Sequence, residues 1–159
     1  MNKPRFATMA LGGCEGCHVS LIDAHEGLLD LLATVDLVES PFTDGDGTIP
    51  SCDVLMVEGA VTNEADERRL LAAREAAGTL IAVGSCAVMG GIGGLRNLYT
   101  AREAIADVYG ADKPGEGLPA LTASVKAVSQ VVDVDITRNP FLGQSVFSVD
   151  RSSVERTEA

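Results

Sequence analysis

The sequence predicts an α/β domain built on a mostly parallel sheet. Short apolar runs alternate with helix-like stretches along the 159 residues, the pattern of repeated strand–helix units. Two of the runs, Asp53 to Glu58 and Thr79 to Val83, are nearly all apolar, as parallel strands covered on both faces must be. One helix-like stretch lies between them, which predicts a right-handed βαβ unit.

The elements follow in order. Arg5 to Leu11 reads as the first strand and runs straight into Gly12-Gly13. His18 to Ala33 reads as one helix, because Val19, Ile22, Leu28, Leu29 and Leu32 fall on a broad apolar face. Val35 to Val38 is a short second strand. Ser40 to Pro50 holds two prolines and an Asp44-Gly45-Asp46-Gly47 run, so it is a loop. After the third strand, Thr62 or Asn63 is placed to cap a helix that carries acidic residues in its first turn. Gly78 is expected to end that helix as its C′ residue. A glycine-rich loop runs from Gly84 to Gly94, and a helix is expected around Leu98 to Val108. Asp112 to Pro119 reads as a loop, and Val131 to Ile136 alternates like a half-exposed strand. Residues 1–150 form one expected domain. The polar tail, 151–159, is expected to fray. The strand order is close to a flavodoxin-like sheet with helices on both faces, in which ligands sit beyond the carboxyl ends of the strands.

Composition narrows the function. Lys and Arg total 12 against 23 Asp and Glu, a net charge of −11. That balance opposes nonspecific binding to nucleic acid or to anionic membrane. Aromatic residues are only 4% with no Trp, too few for a base-stacking surface. No stretch approaches ~20 apolar residues, and no secretory or twin-Arg leader is visible. The cytoplasm is the expected compartment, where four cysteines read as metal ligands, catalytic groups or buried thiols rather than disulfides.

Three of those cysteines follow strand ends. Cys14-Glu15-Gly16-Cys17 is a CxxC motif in the loop after the first strand, and Cys86 stands in Gly84-Ser85-Cys86 after the Thr79 strand. CxxC alone serves redox dithiols, zinc sites and iron–sulfur clusters. A third thiol from another loop on the same sheet edge narrows the choice towards a shared metal or cluster site. His18 stands beside Cys17 as the one further zinc ligand in sequence. Cys52 precedes its strand and is expected on the opposite edge, as a structural residue.

The motifs carry a resemblance. Leu11-Gly12-Gly13-Cys14-Glu15-Gly16-Cys17-His18, Val57-Glu58-Gly59-Ala60-Val61, and Val83-Gly84-Ser85-Cys86-Ala87-Val88-Met89-Gly90-Gly91 with Leu95-Arg96-Asn97 stand in one order. Together they resemble the small subunits of cytoplasmic nickel–iron hydrogenases, most nearly the NAD-reducing bidirectional type, over Arg5 to Ile136. Complex I has a related subunit, whose adjacent Cys-Cys pair is absent here. The resemblance implies an electron-transfer subunit holding a [4Fe–4S] cluster, with Cys14, Cys17 and Cys86 as ligands. It implies a NiFe centre in a separate large subunit, and diaphorase partners that carry FMN, further clusters and the NAD site. The overall reaction would be H2 oxidation or evolution coupled to NAD(H). One departure stands out. The family's fourth cysteine lies in a Gly-Cys-Pro-Pro motif, and this chain reads Arg138-Asn139-Pro140-Phe141. Asp135, Asn139, His18 or a partner's group are the alternatives for the fourth iron, with Cys52 opposed by the sheet geometry, as are a three-iron form or loss of the cluster.

Other residues have secondary expectations. Glu15 and Glu58 are candidates to carry protons or to meet a basic group of a partner. Glu58 is equally a candidate to cap backbone. His18 is expected to support a sulfur, and Arg96 and Asn97 to hold the cluster loop or touch the large subunit. The glycine run lacks the Gly-Lys-Ser/Thr ending of a phosphate loop, and no GxGxxG follows the first strand, so NAD is not expected on this chain. The rival readings are a cluster-free flavodoxin-like scaffold subunit and, below it, a flavin-binding module.

Overall fold

The computed structural model describes residues 2–110, 120–138 and 146–148. Its central sheet has the order β2-β1-β3-β5-β7-β8. The strands are β1 (Arg5–Ala10), β2 (Asp36–Glu39), β3 (Cys52–Glu58), β5 (Ala77–Val83), β7 (Ile136–Arg138) and β8 (Val146–Ser148). The pairs from β2 through to β7 are parallel, and β8 closes the edge antiparallel to β7. The parallel part has the expected flavodoxin-like order. A short strand β4 (Val61–Asn63) pairs antiparallel with β6 (Leu121–Lys126) in a separate ribbon.

The core lies along the three middle strands. Ala7 and Met9 of β1, Leu55 and Val57 of β3, and Leu80 and Ala82 of β5 are all buried in one cluster. Leu70 and Ala73 of helix α3 (Glu64–Ala76) join it, as does Ala87 of helix α4 (Gly84–Met89). β3 pairs with β1 and β5 in parallel with α3 between β3 and β5 in the chain, as the sequence predicted.

Several expectations need correction. The single helix over 18–33 is two helices, α1 (Gly16–Ile22) and α2 (Glu26–Thr34). The break is tight: Ala24 and His25 donate to Leu21 and Ile22 carbonyls, and His25 takes φ 50°. The periodicity ran through because those three residues are only one turn. The expected inward face is also poorly covered, for α2 has no buried residue and Leu29 is 66% exposed. Gly78 does not end α3. Ala77 already begins β5, and Gly78 lies inside the strand with the Asp53 carbonyl 2.9 Å from where a Cβ would stand.

The later part differs too. Cys86 sits within α4, and Ile92–Leu98 is a 3-10 helix rather than the start of an α-helix. Helix α5 spans Ala101–Tyr109, opened by a Thr100–Glu103 capping box. Val131 to Val134 are not strand. Val132 and Val134 alternate inward, but from a turn after the 3-10 segment Val128–Gln130, and only Ile136 enters β7. Strand β6 went unforeseen because Leu121–Lys126 carries no strong apolar run. The loop expected at Asp112 to Pro119 and the polar tail lie outside the described residues.

Asn63 is the cap expected for α3. Its Oδ1 accepts the Asp66 N–H at 2.9 Å, and its amide donates to Asp66 Oδ2 at 2.8 Å. Asn63→Ala is expected to cost about 1 kcal/mol of stability, read as a lower urea midpoint with an unchanged slope.

Candidate functional site

Parallel order brings three loops to one edge. The loop after β1 carries Cys14 and leads into Cys17 at the start of α1. The end of β3 carries Glu58. The turn after β5 carries Gly84 and Cys86. Because β3 lies between β1 and β5, their tips stand two inter-strand spacings apart, about 10 Å. The site therefore straddles β3. It also lies where the strand order reverses between β1 and β3, the position that sheets of this kind use for ligands.

Hydrogen bonds lock the first two loops together. Leu11 N–H donates to the Glu58 carbonyl at 2.9 Å. Gly12 and Ala60 exchange both bonds, at 2.9 and 2.8 Å. Glu15 bridges the two cysteines in the left-handed conformation, φ 60°, which costs a non-glycine residue about 1–2 kcal/mol. Such strain persists only where the surroundings hold it.

Glu58 is the anchor of the site. It is 2% exposed and His18 is 1% exposed. Helix α1 has no side-chain cap of its own at Glu15. Glu58 supplies one from the neighbouring strand: Oε2 accepts the His18 backbone N–H at 2.8 Å, and the Cys17 N–H donates to the same carboxylate. His18 Nδ1 stands 3.1 Å from that oxygen, in contact but without hydrogen-bond alignment. Burial alone would raise the Glu58 pKa. The His18 imidazole, the His18 N–H and the Cys17 N–H outweigh it and hold the carboxyl below its ordinary value. The backbone-capping role is thus the one the geometry displays. The His18 ring packs edge-on against Phe42 at 5.6 Å.

The thiols differ in environment. Cys14 is exposed, while Cys17 and Cys86 are partly buried. Burial pushes the Cys17 thiol up to about 11, helped by the negative charge of Glu58 and then by Cys14 and Cys86. Cys17 therefore lies within electrostatic reach of both other thiols. Two glycines make room for these sulfurs. A Cβ on Gly84 (φ 85°) would overlap Cys17 Sγ, and one on Gly91 (φ 52°) would come within 2.6 Å of Cys86 Sγ. Among the described residues, no three His, Cys, Asp or Glu side chains form a group that could hold a single metal ion.

The remaining candidates are placed elsewhere. Cys52 begins β3, in register with Ala77, at the opposite edge, and burial raises its pKa. Asp135 accepts the Leu80 N–H at 2.8 Å and faces Arg74 at 3.6 Å. Leu80 is three residues below the tip of β5, about 10 Å, so Asp135 is tied to the sheet rather than to the thiols. Arg96 Nη2 donates to the Thr122 carbonyl at 3.0 Å, and Asn97 pairs with both backbone groups of Val125. These two residues fasten the 3-10 segment to β6. Asn139 lies outside the described residues. Sequence reasoning missed the Glu58–His18 pairing, which joins residues 40 positions apart and leaves no local signal.

Residues 14–138 match the protein family described as NADH ubiquinone oxidoreductase, 20 Kd subunit. The chain belongs to that family. Its relatives include hydrogenase subunits, as the resemblance implied. It is 44% identical to a subunit of the F420-non-reducing hydrogenase vhu of Methanococcus voltae, over 84% of this chain and 50% of the relative. It is 34% identical to the delta subunit of the NAD-reducing hydrogenase HoxS of Cupriavidus necator, over 92% of this chain and 77% of that one. The fold superposes on an NAD+-reducing [NiFe]-hydrogenase crystal structure in its H2-reduced state with a TM-score of 0.79 and 36% identity, covering 86% of this chain and 81% of that chain. The chain thus spans about half the length of the first of these relatives. Among the described residues of this family member, no helix is long and apolar enough to cross a membrane.

The metal-free chain tests the electrostatics. Cys14, the exposed thiol, is expected to alkylate ahead of Cys17, which reacts only as pH approaches its raised value of about 11. Glu58→Gln removes a nearby negative charge, so the Cys17 profile should shift to lower pH. Mass-spectrometric alkylation across pH reads both.

Proposed function

We propose that this chain is the electron-transfer subunit of a [NiFe] hydrogenase, with Cys14, Cys17 and Cys86 holding an iron–sulfur cluster. The observation that carries the reading is the placement of three free thiols at one sheet edge by the loops after β1 and β5. Thiolates are the usual ligands of such clusters, and a bound [4Fe–4S] cluster would supply single-electron exchange. The chain's own residues do the rest. Glu58 fixes the start of α1 and with it Cys17. Gly84 and Gly91 let backbone approach the sulfurs, and the buried core residues Met9, Val57 and Ala82 one step below the strand ends exclude water beneath them. The NiFe site would lie in a large subunit and the acceptor site for NAD(H) in flavin-bearing diaphorase partners, within the cytoplasm.

Exposed apolar residues support a life in a complex. Ile92 is 83% exposed and Leu98 76%, on the 3-10 segment that follows Cys86, with Met89, Leu95 and Tyr99 beside them. Five exposed apolar residues within eleven positions are more than isolated surface apolar residues and fit a binding face. A second reading, a cluster-free scaffold, rests on Asn139 standing where the resemblance places a fourth cysteine.

Iron and acid-labile sulfide, counted in the anaerobically purified complex alongside electron paramagnetic resonance, separate the two. Cys14→Ser is expected to lose one cluster's worth of iron. An unchanged count and spectrum would establish the scaffold. The glycines give an independent test. Gly84→Ala should lose the same iron, because its methyl would overlap Cys17 Sγ from a left-handed backbone. Gly94→Ala, which meets nothing within 4 Å, should retain it.

A further inference from the structure

Beside the thiol loops, at the carboxyl ends of β1 and β2, lies a cavity of about 240 Å³ lined by Glu39, Glu15, Arg69, Thr8, Gly47 and Ile49 among others. Glu39, the last residue of β2, is 8% exposed. Its carboxylate makes no hydrogen bond or ion pair with any described residue. It is also held in place. Any Cβ at Gly45 would overlap its carboxylate oxygens, so the loop backbone lies directly over it and the group is not swung out into water. Its oxygens are not fully enclosed but open onto the cavity, where a carboxylate on a mostly buried residue gains from a partner of opposite charge. The cavity is where a counter-charge can reach it.

The lining fixes the sign and kind of that charge. Two carboxylates face one guanidinium, so the net charge is negative and an anion such as a flavin phosphate is disfavoured. No group of three His, Cys, Asp or Glu that could hold a metal is present among the described residues, which disfavours a bare metal ion. The Thr8 hydroxyl is committed to Ser40 at 2.9 Å, so Glu39 is left to receive N–H donors. The volume corresponds to roughly eight waters at ~30 Å³ each, enough for a guanidinium or ammonium and its stem. Arg69 stands exposed on α3 and makes no ion pair with any described residue.

We propose that this cavity receives one Lys or Arg side chain of the subunit that docks over the thiol edge, with Glu39 as its partner. The identity of the docking chain rests on the reading above; the unpaired carboxylate of Glu39 at the cavity does not.

Two directions of change test it. In the isolated chain Glu39→Gln should not lower the melting temperature, since the carboxylate it replaces makes no hydrogen bond or ion pair with any described residue. In the assembled complex the same variant should weaken association by roughly tenfold or more, as when one partner of a buried charge pair is removed. Methylguanidinium, titrated into the full chain, should shift the Gly47 and Ile49 amide resonances saturably in wild type and in Arg69→Ala, but not in Glu39→Gln. Mg²⁺ at equal ionic strength should not compete. A melting temperature lowered alike by Glu39→Gln and Arg69→Ala would overturn the proposal in favour of an internal pair. Competition by Mg²⁺ would overturn it in favour of a metal site, and unchanged association would overturn it outright. Iron content is the separate readout. If Cys14→Ser leaves iron unchanged while Glu39→Gln weakens the complex, the cluster reading fails and this one stands. If Cys14→Ser loses iron while Glu39→Gln changes neither association nor methylguanidinium binding, the reverse holds.

Discussion

Glu58 ends the middle strand of the sheet, and almost everything at the carboxyl edge is tied to it. Its backbone carbonyl receives the Leu11 N–H as β1 leaves the sheet. Its side chain receives the first free N–H groups of α1, and it stands against the His18 imidazole. A helix start needs such acceptors, and α1 has none of its own. The carboxylate is buried, yet ionisation is favoured because the N–H donors and the imidazole surround it. The sign of the resulting pH dependence follows. Since the folded pKa lies below the ordinary 4.5, the interaction stabilises the fold fully above that value and is lost as pH falls through the lower one.

The placement of the thiols is a consequence of the same arrangement. Cys17 is the second residue of α1, so fixing the helix start fixes Cys17. Cys86 reaches the edge through β5, on the other side of β3. The two sides communicate across Glu58, which explains why Cys17 is raised by that carboxylate as well as by the two other thiols. Metal-free, this edge disfavours a thiolate at Cys17. A positively charged metal centre would reverse that balance, so the proposed cluster would release protons as it bound.

Much of this was legible in the chain. The parallel strands show as apolar runs because both of their faces are covered, and the strand-end rule then places Cys14, Cys17 and Cys86 together and Cys52 apart. Other features left no such trace. The break between α1 and α2 is one turn long, too short to disturb a periodicity read over several turns. β6 pairs with β4 in a ribbon outside the main sheet, where an apolar run is not required, and Leu121–Lys126 has none. Gly78 looked like a helix end because glycine serves there so often, but here it answers a different constraint, the close Asp53 carbonyl. The Glu58–His18 contact and the isolation of Glu39 are long-range facts, visible only when β1, β2 and β3 are assembled.

The glycines bear on whether the edge is a working site or a relic. Gly84 and Gly91 both hold left-handed backbone against a cysteine sulfur. Glycine is the costly residue for that service, since it loses the most conformational freedom on folding. A scaffold that had shed its cluster would gain by replacing the thiols with bulkier apolar groups and by relaxing these turns. This chain instead keeps three thiols, one of them exposed, together with a strained Glu15 between two of them. Strain and unsatisfied chemistry concentrated at one strand-end edge are what a ligand site looks like before its ligand is counted. The cost of maintaining three thiols at this edge is the argument for the proposed cluster over a scaffold that has lost it.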